Sequence, residues 1–479
     1  MNPITCMTFS VCRPNNIFTL RLLFIFQLVC LSFYSLNLNA SDETAEKISQ
    51  LDAEFKSLIT EFYNHQARAM ISEKNLAQNF ETFSSTFSAM VARQDNVEAV
   101  SFIHANLNML ELNINDDVIL QVIKTLLDNH DYQTAIRLKG IIDSVGEQYY
   151  VSNLGLIFAD YYDHRNQWQQ VLSSLDIDFE ELTPENAHRA ALLVGIALQK
   201  QKQHRKAIKS YENIPESSTH FPLAQLNTAL AYIRQDWWTD AHILIKRLLK
   251  QPAITNNEEL VNRLSLILGF SLLNKEYYRE SRESFRNISL DSQYASMALL
   301  GISLAAIGQE DSLGALNAAS ILNKKETQEL VVEESYLLLP HIYKNLEQYE
   351  TANSSYTLAI NHYQNKLSVL RQLMDNSQAI LNDHLVEPVS GKLTIGGIDY
   401  NLSEHYPSYF FSNFAETKKL RKLSQVSTVS KKLDILEKKQ SELLVEIFNK
   451  TIQHRIDAVQ SYLSQAHFGV AQLYDKEPE

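Results

Sequence analysis

Residue types able to do chemistry are plentiful in this chain, but their spacing does not set them up for it. Fourteen histidines are dispersed through 479 residues. None belongs to an HExxH pair, the spacing that puts two imidazoles on one helix face around a metal. Cys6, Cys12 and Cys30 all fall in the first 30 residues, so the body has no thiolate for a zinc site or a disulfide framework. The acidic pairs Asp116–Asp117 and Glu333–Glu334 have the type needed for acid–base work. Both read better as helix starts or solvated faces, because carboxylates favour the positive end of the helix dipole. Gly396–Gly397 lacks the Lys and Ser/Thr of a phosphate loop. No catalytic residue, metal or cofactor is expected, and the chain reads as non-enzymatic.

Binding chemistry is the remaining possibility. Formal net charge is −13, and the first 40 residues carry Arg13 and Arg21 without an acid, so the body stands at −15. An acidic body repels phosphate backbones, and no basic stripe with interleaved aromatics offsets it, so nucleic acid is not an expected partner. The basic patch is Lys418, Lys419, Arg421 and Lys422 with Lys431, Lys432, Lys438 and Lys439. It reads as a solvated helix face, or else as a contact for an anionic partner or a membrane surface.

The elements that position these residues follow a period. An aromatic residue or histidine is followed three residues later by a smaller one at Tyr132–Ala135, Trp168–Val171, His204–Ala207, Trp238–Ala241, Tyr278–Ser281 and Tyr349–Ala352. Twelve residues before each second member stand Ile123, Ala159, Gly195, Ala229, Gly269 and Pro340. Three further on come Leu126, Tyr162, Leu198, Tyr232, Leu272 and Tyr343. This pattern resembles the tetratricopeptide repeat, a helix–turn–helix unit of about 34 residues. His204, in the aromatic slot, then reads as a packed position. A repeat at Gly301, Leu304 and Gly308 departs from the pattern, with Glu310 and Leu313 in the aromatic and small slots, and is expected to be distorted.

The expected fold is an all-α tetratricopeptide-like solenoid. Residues 41–112 form an N-terminal helical cap, 113–365 the array, and 366–479 a C-terminal helical region with long helices. Residues 253–258 read as an enlarged loop, and Pro340 as a kink or helix start. Gly396–Gly397 between Ile395 and Ile398 marks a small β-hairpin near 393–401. Leu433, Leu436, Leu443 and Ile447 form a narrow stripe suited to a helical hairpin or coiled-coil seam, and the last residues read as a separate capping helix.

Residues 1–40 read as a signal peptide or a retained membrane anchor. Arg13 and Arg21 precede or open the apolar run Leu22–Leu36 within 17–38, and Ala40 offers a cleavage point. Either outcome exports the body, leaving it periplasmic or inner-membrane anchored through 17–38. The stretches 299–309, 333–360 and 462–475 resemble a group of exported proteobacterial tetratricopeptide proteins with no assigned activity. That resemblance implies topology and location only. By analogy with the repeat family, Leu192, Ile196, Gln199, Leu226, Leu230 and Ile233 face the groove and would suit an apolar or amphipathic helical segment of a protein partner. They could equally be buried by the chain's own winding. The expected function is an exported protein-interaction scaffold or adaptor of the cell envelope. The alternative is a chaperone-like assembly factor for secreted or outer-membrane proteins.

Overall fold

The computed structural model describes residues 43–72, 76–325, 329–424 and 426–474. The expected signal or anchor at 17–38 lies outside the described residues. Among the described residues, no helix is long and apolar enough to cross a membrane.

Helix α1 (Glu43–Ser72) buries Ile48, Leu51, Phe55, Leu58, Ile59 and Phe62 along one face, the three-to-four spacing of an amphipathic helix. It is followed by α2 (Phe80–Ala92), α3 (Asn96–Ala105) and the short α4 (Leu107–Leu112). Helix–turn–helix pairs come next. They are α5 (Asp117–Asp128) with α6 (Tyr132–Val145), α7 (Gln148–His164) with α8 (Trp168–Ser174), α9 (Pro184–Lys200) with α10 (His204–Tyr211), and α11 (Phe221–Arg234) with α12 (Trp238–Leu248). After the one-turn α13 (Pro252–Thr255) come α14 (Glu258–Asn274) with α15 (Tyr278–Arg286), α16 (Ala295–Gly308) with α17 (Ser312–Asn323), and α18 (Leu330–Asn345) with α19 (Tyr349–Asp375).

The same turn joins the two helices of every pair. Gln94, His130, Asn166, Lys202, Asp236, Glu276, Glu310 and Glu347 have φ between 57° and 64°, at intervals of 36, 36, 36, 34, 40, 34 and 37 residues. Each is followed by a residue whose N–H donates to the carbonyl five positions back, as Asp131 does to Leu126 at 2.8 Å and Asp311 to Ala306 at 2.9 Å. This left-handed cap satisfies carbonyls that the helix end would leave open. It is built without a single glycine.

These turns correct the sequence reading at three places. Residues 80–105, assigned to the cap, are a helix pair with the same turn at Gln94, so the array begins at α2. The repeat expected to be distorted is regular. Its register is shifted by two residues, so that Ser312 opens the second helix and the fully buried Ala315 takes the small slot. Residues 253–258 are not simply a loop. They include part of α13, whose Ile254 is fully buried, and this helix occupies the 40-residue interval. Pro340 lies inside α18, which continues to Asn345.

Small residues are where helices cross closely. A Cβ added to Gly195 would sit 2.2 Å from the Tyr211 ring. Additions at Gly269 and Gly301 would come within 2.5 and 2.4 Å of Phe285, so that ring is clasped between glycines of successive repeats.

Beyond the array come α20 (Ser377–Asp383), strands β1 (Lys392–Ile395) and β2 (Ile398–Asn401), α21 (Tyr409–Leu423) and α22 (Ser427–Tyr474). The strands pair antiparallel with Ile395 opposite Ile398, and Gly396 and Gly397 turn the hairpin with φ of 57° and 79°. The terminal residues are not a separate cap but the end of the 48-residue α22. This helix lies along α18 and α19 of the last repeat and also along α1. Helix α1 in turn packs on α3 and α6 of the first two repeats. The ends of the array are thereby joined, and one hydrophobic cluster runs through α1, the early repeats and the C-terminal helices.

Candidate interaction surfaces

The expected groove row divides into two sets. Leu192, Gln199 and Leu226 are buried, packed into the chain's own core, and Gln199 Oε1 accepts from the Tyr211 hydroxyl at 2.8 Å. Ile196 on α9, and Leu230 and Ile233 on α11, remain half-buried on the first helices of adjacent repeats. Only the second set keeps apolar surface at the exterior.

Four of the eight residues of the basic patch make ion pairs within the molecule. Lys432 contacts Glu61 at 2.7 Å and Lys439 contacts Glu54 at 2.8 Å, both across the α1–α22 seam. Arg421 pairs with Asp434 and Glu437, and Lys419 with Glu416. The acidic pairs are structural. Asp116 accepts from Val118 N at 2.9 Å as the N-cap of α5. Glu333 is 3% exposed and holds His362 at 2.5 Å and Lys366 at 3.0 Å, tying α18 to α19. His204 is buried.

A second surface was not legible in the sequence. Asp52 on α1 is buried and accepts from Arg165, from Lys56 at 2.9 Å and from Asn413 on α21 at 2.8 Å. Burial alone would raise the Asp52 carboxyl. The charges of Arg165 and Lys56 outweigh it and hold the group below the usual carboxylate range. The Arg165 guanidinium lies 3.9 Å from the centre of the Tyr409 ring. Beside this cluster opens a cleft of ≈ 630 Å³. Its walls are α5, α7 and Arg189 of α9 on one side, and Pro388, Val389 and the start of α21 on the other. No motif signals it, because its two walls are at least 199 residues apart in sequence.

These helix pairs define a tetratricopeptide-like helical-repeat protein. No protein-family model and no curated protein matches the chain. Among solved structures it is similar to the TPR domain of P58(IPK), with 12% identity and a TM-score of 0.21 over 76% of this chain and 98% of that one. It is also similar to the APC/C hetero-tetramer Cut9–Hcn1, with 13% identity and a TM-score of 0.26 over 84% and 98%. A circular tandem repeat protein matches with 12% identity and a TM-score of 0.16 over 90% and 98%. The assignment of repeats rests on the turns and crossings of this chain itself.

Proposed function

We propose that this protein is an exported protein-interaction scaffold of the cell envelope. The observation that carries the interaction reading is the row Ile196, Leu230 and Ile233, apolar side chains left half-buried on adjacent repeats. Spacing of that kind suits the apolar face of an amphipathic helical segment. Export is supported by Arg13 and Arg21 with the apolar run Leu22–Leu36, and by a body free of cysteine.

Two measurements test this reading. A reporter active only outside the cytoplasm, fused after Glu479, gives signal if the body is exported; signal from a cytoplasm-only reporter instead sinks export. The double substitution Ile196→Asp with Leu230→Asp abolishes stoichiometric partner capture from envelope fractions while circular dichroism stays unchanged. Unchanged capture by the folded variant rejects the row as the contact. Many weak partners in place of one would favour a chaperone-like role.

A further inference from the structure

We propose that the cleft between α5, α7 and the start of α21 binds a ligand through a single carboxylate, received by Lys124, Arg165 and Arg189. The chain as a whole is acidic, at −13, yet the cleft wall holds these three cations against Asp128 and Asp160. Asp160 is already engaged, since Arg189 donates Nε at 3.0 Å and Nη2 at 2.7 Å to one of its oxygens. Lys124 makes no ion pair within 4.0 Å among the described residues.

Arg165 carries the argument further. It is 6% exposed, its Nη2 is committed to Asp52, and Tyr409 stacks on its face, so its orientation is fixed. Its buried Nε–H has no acceptor among the described residues. An unspent buried donor of a charged group is costly, and a ligand oxygen would satisfy it. The cleft volume falls in the range of small-ligand and short-peptide sites. The wall carboxylates Asp128 and Asp160 disfavour a phosphate dianion and leave room for one negative charge. A carboxylate can arrive on a peptide side chain or on a small free acid.

The test is calorimetric titration of the purified full chain with acetyl-Ala-Glu-Ala-amide, propionate, acetyl-Ala-Gln-Ala-amide and inorganic phosphate. Saturable binding of the Glu peptide but not of propionate assigns the site to an acidic peptide segment. Equal binding of propionate assigns it to a small acid. Lys124→Glu, at an exposed position that leaves the fold intact, weakens the carboxylate probe about tenfold. Arg165→Lys removes the Nε–H and weakens it further, provided circular dichroism is unchanged. The proposal is overturned if neither carboxylate probe binds, if the Gln peptide or phosphate binds as well, or if Lys124→Glu has no effect. It stands apart from the groove reading, because Ile196→Asp with Leu230→Asp leaves binding of these probes unchanged.

Discussion

Lys439 Nζ lies 2.8 Å from the Glu54 carboxylate, across 385 residues of chain, and the contact recurs one heptad to either side. Glu61 meets Lys432 at 2.7 Å, and Lys47 meets Glu446 at 3.0 Å. The steps are seven residues on α1 and seven, in the opposite sense, on α22, the flank of an antiparallel coiled coil. The core of this seam includes Ile48, Leu51, Phe55 and Leu58 with Leu433, Leu436, Leu443 and Ile447. Apolar burial supplies its stability, and the charges set direction and register.

The seam charges are half exposed, so each pair contributes little. Lys439→Ala leaves the melting temperature nearly unchanged. Lys439→Glu lowers stability by about 0.5–1 kcal/mol, and adding Glu54→Lys restores it. Urea titrations at low and high salt check this, since salt should shrink the difference.

Asp52 behaves differently because it is buried against Arg165 and Lys56. Asp52→Asn leaves two cations without their counter-charge and lowers stability by about 3 kcal/mol. Glu333 is also buried, which pushes its carboxyl up, but the His362 hydrogen bond and the Lys366 charge hold it below the usual range. A carboxylate with a depressed folded value adds stability above its unfolded value of about 4, and loses it as pH falls through the folded value. The protein therefore weakens on acidification below about pH 4, and Asp52→Asn flattens that decline. Denaturation midpoints across pH for both proteins measure it.

Helix crossings give a paired test. Gly195→Ala drives a methyl into the Tyr211 ring and lowers stability by about 1–3 kcal/mol. Gly140, inside α6, has nothing within 4 Å of an added Cβ. Gly140→Ala raises stability by about 0.5–1 kcal/mol through helix propensity alone. Equal effects of the two substitutions in thermal unfolding would contradict the crossing.

The repeat turns hold strain that glycine would relieve. Lys202 is exposed at φ 63°, a conformation unfavourable for a residue with a Cβ. Lys202→Gly raises stability by about 0.5 kcal/mol, the relief of strain exceeding the extra entropy of the unfolded glycine. The chevron plot shows where the gain falls, and slower unfolding is the expected limb.

By itself the sequence determined the helix pairs and their spacing. Tyr132, Trp168, His204, Trp238, Tyr278 and Tyr349 each open the second helix of a repeat in the structure. Local packing of large residues against small ones repeats with the chain, so it is written as a period. The hairpin at Gly396–Gly397 was legible for the same reason, since its turn chemistry is local. The repeats at Gln94 and Glu310 were obscured because Asn96 and Ser312 open their second helices, where the other repeats carry an aromatic residue or histidine. Tertiary structure alone decided three things: that α22 joins the last repeat to α1, that Lys432 and Lys439 serve that seam, and that Asp52, Arg165 and Asn413 converge beside a cleft. Each depends on partners more than 100 residues apart, from 113 for Asp52–Arg165 to 399 for Lys47–Glu446. Such contacts leave no period in the sequence, because the pairing exists only once the array has curved far enough to bring its two ends together.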